Sequence, residues 1–332
     1  MEPRIKDRYH DGILQEALHR YGIASENIHL LDGFESFIYE FERDSGDYIL
    51  RIGHSLRKSV ALVQGEIDWI NYLAEGGVGV SRAIPSHNGL LVEQIDDGRG
   101  EYFLVTAFVK AKGVYPDEAG WSANLYQRYG RAVGKMHALT KDYVPGNPAW
   151  KRPEWDGDLA DIPGWLPETE TVAVEKFHRT VAHLRSLPTS PDSYGLIHQD
   201  AHGINFFVDE NRNLTFFDFD DCLYGWFAYD IAIVLFYKAM WAEDPAAYTQ
   251  EFMTHFLRGY RQENKLDPIW LREFPHFLKL REIDTYAVIH RSFDVDNLVD
   301  PWNVGYMRGR KERIDNDVPV IDFDFETLAD AL

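Results

Sequence analysis

Four polar side chains with short, fixed spacing lie in the middle of the chain. His198, Asp200 and Asn205 occur in the run LIHQDAHGINFFVD, and Asp218 follows in LTFFDFDD. Apolar residues on either side of the turn at 209–213 predict two short strands, so a hairpin would bring Asn205 and Asp218 side by side. Their amide and carboxylate oxygens suit Mg²⁺, which prefers oxygen ligands and keeps several waters. Asp200 is then free to orient a hydroxyl group.

The rest of the sequence predicts a β-sheet in the first part of the chain, followed mainly by helices that help to position these residues. The predicted early elements are the strands Ile28–Leu31, Phe37–Arg43, Asp47–Ile52, Leu90–Gln94 and Glu101–Phe108, with the helix Val60–Ala74. The predicted later elements are the strands Gly195–His198, Asn205–Val208 and Leu214–Phe219, and the helices Asn124–Leu139, Thr171–Leu187, Tyr229–Trp241, Pro245–Arg261 and Pro275–Phe293. The link Asp44-Ser45-Gly46 favours a hairpin between the second and third strands.

This order of elements predicts an α+β fold with two lobes and an active site in the cleft between them. The small antiparallel-sheet lobe is expected over residues 1–108, and the larger helical lobe over residues 109–332.

Composition excludes several classes of protein. The formal net charge of −20 argues against nucleic acid as a partner, because phosphates must be neutralised by Lys and Arg. No apolar run approaches the ~18–20 residues that span a bilayer, and the charged start of the chain does not read as a signal peptide. We therefore expect a cytoplasmic protein without a membrane partner. The single cysteine, Cys222, excludes an intramolecular disulfide and a Cys-rich zinc site.

The pattern H-x-D-x-x-x-x-N with a downstream D-x-D resembles the catalytic loop and metal-binding aspartate of the kinase superfamily. It is most similar to the aminoglycoside phosphotransferase family, which includes choline kinases and kinase-like homoserine kinases. The resemblance implies a bilobal protein-kinase-like fold, ATP and Mg²⁺ as cofactors, and transfer of the γ-phosphate to a hydroxyl of a small molecule. By carry-over, Asp200 accepts or orients the proton of that hydroxyl, while Asn205 and Asp218 hold magnesium.

The same resemblance extends into the first lobe. The turn Gly33–Tyr39 matches the loop that covers the phosphates, where Gly33 and Ser36 are candidate contacts. Arg51 occupies the strand position where the superfamily places a phosphate-binding lysine. A guanidinium can also clamp phosphate, and bidentately. Glu66, on the following helix, matches the carboxylate that pairs with this cation.

Further residues match positions of the family that support the nucleotide or the loop. The segment Phe103–Val109 matches the hinge whose backbone meets adenine, which makes Ala107 and Val109 candidate nucleotide contacts. His198 matches a residue that supports the catalytic-loop backbone. Asp230 matches an aspartate that braces the same loop and does no chemistry.

Candidate acceptor contacts have less specific signatures. Asp220 is either a second metal ligand or a residue that faces the substrate. His202 is either a substrate contact or an exposed side chain. On the helix predicted at Pro275–Phe293, Glu282 and Asp284 suit a cationic acceptor and Arg281 an anionic group, with an internal salt-bridge cluster as the alternative reading.

Three functions are compatible with these residues. The first is a kinase of a small-molecule hydroxyl, with an aminoglycoside, homoserine, a choline-like alcohol or a sugar derivative as acceptor. The second is a bacterial Ser/Thr protein kinase, although the short separation of Asp218 and Asp230 leaves no room for a long activation segment. The third is a nucleotide-binding scaffold without catalysis, against which the intact Asp200 and Asn205 argue. The acceptor, the choice of ATP or GTP and the oligomeric state have no signature in the sequence.

Overall fold

The computed structural model of the chain describes residues 3–31, 33, 35–43, 46–157 and 159–332. The strands are β1 (Ile28–Leu31), β2 (Phe37–Arg43), β3 (Gly46–His54), β4 (Ala83–Ile84), β5 (Glu93–Asp96), β6 (Tyr102–Val109), β7 (Tyr194–Ile197), β8 (Phe206–Val208), β9 (Leu214–Phe216) and β10 (Leu223–Trp226). The helices are α1 (Pro3–Lys6), α2 (Asp11–Tyr21), α3 (Val60–Glu75), α4 (Pro116–Ala119), α5 (Ala123–Thr140), α6 (Ile162–Trp165), α7 (Thr171–Arg185), α8 (Phe227–Ala239), α9 (Pro245–Tyr260), α10 (Phe274–Ser292), α11 (Pro301–Met307) and α12 (Arg310–Asp315).

The chain forms two compact units. The first comprises residues 1–119, 142–152 and 205–220, and the second comprises residues 120–141, 153–204 and 221–332. The boundary predicted at residues 108/109 stays a prediction, because the first unit also gathers two segments from later in the chain.

The first unit is built on an antiparallel sheet in the order β1-β2-β3-β6-β4, with β5 also paired to β6. The predicted hairpin of β2 and β3 is confirmed, while its link residues Asp44 and Ser45 lie outside the described residues. The strand predicted at Leu90–Gln94 begins instead at Glu93. The reason is a turn, in which the carbonyl of Leu90 accepts a hydrogen bond from the Ser86 N–H at 2.8 Å.

Helix α3 packs one apolar face into the first unit. The helix begins after Ser59, whose side chain accepts a hydrogen bond from the Leu62 N–H at 3.2 Å, as an N-cap residue does. Its buried apolar side chains recur at helical spacing and are Val63, Ile67, Trp69, Ile70 and Leu73. Gly77, with φ of 80°, follows the end of the helix in the left-handed conformation that favours glycine. The prediction of a helix over Val60–Ala74 is therefore confirmed.

The hairpin of β8 and β9 belongs to the first unit although it comes nearly a hundred residues later. Phe216 forms a parallel bridge with Val80, and Val208 forms an antiparallel bridge with Val114. Gly113 has φ of 105°, and a Cβ there would lie 2.1 Å from the carbonyl oxygen of Val208. The close approach of this hairpin therefore requires glycine at that position.

The second unit is mainly helical, and helices α5 and α9 approach most closely. A Cβ on Gly130 would lie 1.8 Å from the carbonyl oxygen of Phe256, and a Cβ on Gly259 would lie 1.8 Å from that of Gln127. The two glycines therefore let the helix backbones touch. In the small sheet of β7 and β10, strand β7 was predicted and strand β10 was not.

The predicted α+β class, with an antiparallel sheet in the N-terminal part and helices after it, is confirmed. Among the described residues, no helix combines the length and the apolar character that crossing a membrane would require.

Candidate active site

A buried ion pair joins β3, the central strand of the first unit's sheet, to helix α3. Arg51 on β3 donates two parallel hydrogen bonds to the carboxylate of Glu66 on α3, at 2.8 and 2.7 Å. The Glu66 side chain is only 1% exposed. Burial by itself lowers the pKa of the Arg51 guanidinium, but Glu66 and Asp220 more than offset it, so the pKa is raised and Arg51 is a permanent cation. The structure thus brings together the two residues that the sequence paired.

Lys58 is a second cation beside this pair, and sequence reasoning missed it. Its ammonium nitrogen lies 2.5 Å from Oδ2 of Asp220, while Arg51 lies 3.5 Å from Oδ1 of the same carboxylate. Burial alone would raise the pKa of Asp220, but these two cations lower it below its usual range. The sequence feature that could have identified Lys58 is the pair of basic residues, Arg57 and Lys58, directly before the N-cap residue of α3.

A small cavity of about 20 Å³ lies within the first unit against these cations. Ser36, Arg51, Lys58 and Thr106 contribute to its lining. The Thr106 hydroxyl is buried and has no hydrogen-bond partner among the described residues. Buried polar atoms normally find partners, so the Thr106 hydroxyl can bond a water or a polar ligand in this cavity, and the two cations in its lining would favour an anion.

The predicted phosphate loop is only partly described. A Cβ on Gly33 would lie 2.4 Å from the carbonyl oxygen of Ser36, so the turn needs glycine at this position. Phe34, between them, lies outside the described residues. Glu35 accepts a hydrogen bond from Arg57 at 3.2 Å through its backbone carbonyl, which ties the loop to the segment before α3.

The predicted hinge lies at the end of β6. Ala107 pairs with Leu50 of β3 on one side and with Ile84 of β4 on the other. The N–H of Val109 donates to the carbonyl of Arg82 at 2.9 Å. The Lys110 N–H also donates to the carbonyl of Asp47 at 3.0 Å, so the backbone of the predicted hinge is held by the sheet through Lys110.

The β8–β9 hairpin places two of the predicted metal ligands beside each other. Asn205 directly precedes β8, and its carbonyl accepts a hydrogen bond from the Phe217 N–H at 3.0 Å. Asp218 is the next residue along, and its φ of 61° turns the chain out of the strand earlier than the predicted end at Phe219. Aspartate tolerates this left-handed conformation better than most residues.

In the second unit, Asp230 fixes the backbone of the predicted catalytic loop. Its carboxylate accepts hydrogen bonds from the N–H groups of His198 and Gln199, at 3.2 and 2.8 Å. Nε2 of His137 lies 3.0 Å from the same carboxylate. Asp230 and His198 are fully buried. Gln199 has φ of 66°, a strained conformation that these contacts hold in place.

Asp200 follows this braced segment and is contacted on both carboxylate oxygens. Arg281 donates to Oδ1 at 2.6 Å, and Nε2 of His202 lies 3.1 Å from Oδ2. Burial alone would raise the pKa of Asp200, but His202 and Arg281 lower it below its usual range. Asp200 is therefore an ionised carboxylate at neutral pH.

The three candidate acceptor contacts on helix α10, Arg281, Glu282 and Asp284, do not lie in one environment. Arg281 also bonds the Tyr237 hydroxyl at 2.6 Å and Asp284 at 3.3 Å. Burial raises the pKa of Asp284 despite the neighbouring guanidinium. Glu282 points elsewhere: it is fully buried and ion-paired with Arg310 and with Lys279, each at 2.6 Å.

Comparison with known proteins places the whole chain among phosphotransferases. The sequence profile of the phosphotransferase enzyme family matches residues 28–299. The amicoumacin kinase of Bacillus subtilis (strain 168) is 40% identical over 331 residues, which cover 98% of this chain and 98% of that protein.

Solved structures with similar folds include two kinases. One is the amicoumacin kinase hAmiN in complex with AMP-PNP, Ca²⁺ and Ami, with a TM-score of 0.93, 36% identity, and coverage of 99% of this chain and 100% of that one. The other is a microcompartment-associated aminopropanol kinase, with a TM-score of 0.74, 24% identity, and coverage of 93% and 98%. The second likeness bears on the fold alone. The predicted kinase-like fold is confirmed by both.

Proposed function

The chain belongs to the phosphotransferase enzyme family, and on that premise we propose that it transfers the γ-phosphate of ATP, with Mg²⁺, to a hydroxyl of amicoumacin or a closely similar small molecule. The observation that carries the choice of acceptor is the match with amicoumacin kinase along nearly the whole of both chains. Acceptor pockets are formed by scattered side chains, so likeness along the full length is a better guide than the catalytic loop.

For the nucleotide, we propose that Arg51 and Lys58 bind the phosphates. Glu66 holds the Arg51 guanidinium in one orientation through two hydrogen bonds, so little side-chain freedom is lost on binding. The unpaired Thr106 hydroxyl in the same cavity supports this assignment. Gly33 and Ser36 would cover the phosphates through backbone N–H groups. The adenine would meet the chain at or just beyond Ala107 and Val109.

For the metal, we propose that Asn205 and Asp218 hold Mg²⁺. Their oxygens suit this ion, and the β8–β9 hairpin makes them neighbours at the level of the backbone. The bound ion would neutralise negative charge on the β- and γ-phosphates. Asp220 is less suited to the metal, because Lys58 and Arg51 already pair with its carboxylate.

For the acceptor hydroxyl, we propose that Asp200 orients it and accepts its proton. An ionised carboxylate retains lone pairs for this role even when Arg281 and His202 contact it. Because the pKa of Asp200 is low, its main contribution is orientation of the hydroxyl, and the proton is taken late in the transfer. Asp230 and His198 would support the loop without touching the substrate.

For the rest of the acceptor, we propose contacts from Arg281, Asp284 and His202. These three groups surround Asp200 or contact its partner Arg281, so a ligand bound at Asp200 would meet them. Glu282 is already paired with two cations in the interior, and we do not extend the acceptor site to it. The cytoplasmic location expected from the sequence stays a prediction.

An acceptor panel tests this function. Purified protein would be incubated with Mg-ATP and, separately, amicoumacin, aminopropanol, homoserine, choline, an aminoglycoside or casein. ADP release would be measured, and the product would be analysed by mass spectrometry. We expect ADP release that depends on amicoumacin, together with a product that gains one phosphoryl group.

The other arms of the panel define the outcomes that would contradict the proposal. Turnover with another alcohol but none with amicoumacin would refute the acceptor while leaving the phosphotransferase assignment intact. Phosphorylation of casein alone would favour a protein kinase. Nucleotide binding without turnover on any acceptor would favour the scaffold.

A further inference from the structure

A cluster of three metal-ligating side chains lies in the second unit and has no role in the proposed reaction. His183 lies in the last turn of α7, Glu273 directly precedes α10, and His276 lies in the first turn of α10. One ligand atom from each residue lies within 4.8 Å of the other two. The three side chains are only partly buried, so solutes can reach them.

We propose that His183, Glu273 and His276 form a binding site for a borderline divalent cation, with Zn²⁺ as the best fit. Two imidazole nitrogens and one carboxylate oxygen form a donor set that zinc readily accepts. Mg²⁺ and Ca²⁺ prefer sites made of oxygen ligands alone, so this cluster would discriminate against them. The site is thus chemically distinct from the proposed magnesium ligands.

The ligand atoms of the cluster, all within 4.8 Å of one another, need only side-chain adjustments to surround a tetrahedral centre. Nε2 of His183 lies 2.6 Å from Oε2 of Glu273, and the ring centroids of His183 and His276 are 3.9 Å apart. Bonds of about 2.0–2.1 Å to a tetrahedral zinc would place neighbouring ligand atoms roughly 3.3 Å apart. The His183–Glu273 pair would therefore open by roughly 0.7 Å, a shift within the reach of side-chain torsions.

The cluster is partly accessible to solvent. The side chains of His183 and Glu273 are 37% and 19% exposed, which lets water complete the coordination sphere.

The cluster has no signature along the sequence because its members come from distant segments. His183 and Glu273 are separated by 90 positions. A bound cation would join the end of α7 to the beginning of α10, the helix that carries Arg281. We therefore expect the cation to stabilise the second unit by linked binding.

A calorimetric titration with Zn²⁺ tests the proposal, with excess Mg²⁺ present to occupy sites made of oxygen ligands. We expect one Zn²⁺ per wild-type chain, a rise in Tm with Zn²⁺, and visible absorption bands when Co²⁺ replaces Zn²⁺. His276→Gln should lower the zinc affinity by at least about 100-fold, because even indirect supporting contacts of metal sites contribute 10–100-fold. His178→Gln, which changes an exposed histidine on α7, should bind zinc like wild type.

The proposal would be overturned if folded His276→Gln bound zinc as tightly as wild type. It would also be overturned if His178→Gln lost as much zinc affinity as His276→Gln. If His276→Gln does not fold in chelator, Glu273→Gln supplies the same comparison. Turnover with Mg-ATP should be unchanged in these variants, so the outcome is independent of the proposed function.

Discussion

At the scale of single residues, Asp200 is held by one contact on each carboxylate oxygen. Arg281 and His202 keep the group ionised although it is partly buried. Such a carboxylate is a weak base but a well-oriented hydrogen-bond acceptor. Its proposed role is therefore to position the hydroxyl for in-line transfer, which is the larger part of catalysis of phosphoryl transfer.

The contact with Arg281 leads to a prediction about pH dependence. Arg281→Met removes a cation that lowers the pKa of Asp200, while burial, which raises it, remains. The acid limb of the profile of kcat/KM against pH should therefore move to higher pH. Arg281→Lys keeps the charge and should restore most of the wild-type profile.

The control for this prediction is Arg291→Met, which changes an exposed arginine on the same helix. Its acid limb should coincide with that of wild type. An unshifted acid limb in a folded, active Arg281→Met variant would show that Arg281 does not set the ionisation of Asp200.

The proposed metal ligand Asp218 leads to a second prediction. Asp218→Asn should weaken binding of Mg-ATP on the order of 10- to 100-fold, because a charged oxygen ligand becomes a neutral one. Asp221→Asn, a change at an exposed carboxylate three residues later, should leave the affinity unchanged. Calorimetric titrations of the two variants with Mg-AMP-PNP would measure the difference, and equal affinities would contradict the metal role of Asp218.

At this scale the spacing of the two short strands predicted that Asn205 and Asp218 are neighbours. The pairing of Arg51 with Glu66 was expected from the resemblance to the kinase superfamily, not from spacing. Lys58 beside Asp220 and Arg281 beside Asp200 were not expected. Their partners lie 162 and 81 positions away, and spacing along a chain carries no information about such contacts.

At the scale of elements, the ion pair between Arg51 and Glu66 fastens strand β3 to helix α3. Glu66→Gln would leave a largely buried guanidinium with Asp220 as its remaining ion-pair partner. Removing one partner of a buried pair costs about 3–5 kcal/mol, and we expect the lower end because Asp220 remains. Denaturant unfolding should show this loss, and the KM for ATP should rise.

The matched control for this pair is Glu75→Gln on the same helix, where the carboxylate is 69% exposed. The change in its free energy of unfolding should stay within about 0.5 kcal/mol. A Glu66→Gln variant as stable as this control, with an unchanged KM for ATP, would contradict the role given to the pair.

The contact of α5 with α9 leads to a prediction about packing. Gly130→Ala places a methyl group where the carbonyl of Phe256 lies, so the helices must move apart. Overpacking of this kind costs about 1–3 kcal/mol, which thermal unfolding would measure as a lower Tm. Gly164→Ala is the control, since a Cβ there meets nothing within 4 Å. Equal Tm values for the two variants would show that the helices are not in such close contact.

Elements with a strong local pattern were predicted within a few residues. The apolar residues of α3 recur at helical spacing, and apolar and polar residues alternate in β2 and β3, so the bounds of these elements could be predicted. The start of β5 was wrong by three residues, because the turn at Ser86–Leu90 depends on side-chain hydrogen bonds. Strand β10 was missed because its pairing partner, β7, is remote in the sequence.

At the scale of the whole molecule, the chain matches an amicoumacin kinase from end to end, in sequence and in fold. The sequence predicted the family and the α+β class, because the catalytic-loop motif and the order of elements are local features. It did not predict that residues 142–152 and 205–220 join the first unit, since this depends on bridges such as Val80 to Phe216.

The most direct measurement compares wild type with Asp200→Asn for phosphorylation of amicoumacin and, in the same samples, for binding of Mg-AMP-PNP. We predict that kcat falls by at least about 100-fold, because a positioned base contributes 10²–10⁴-fold. The nucleotide affinity should stay within a factor of about two to three, a difference of roughly 0.5 kcal/mol. Turnover by Asp200→Asn at the wild-type rate would show that this carboxylate does not act on the acceptor hydroxyl.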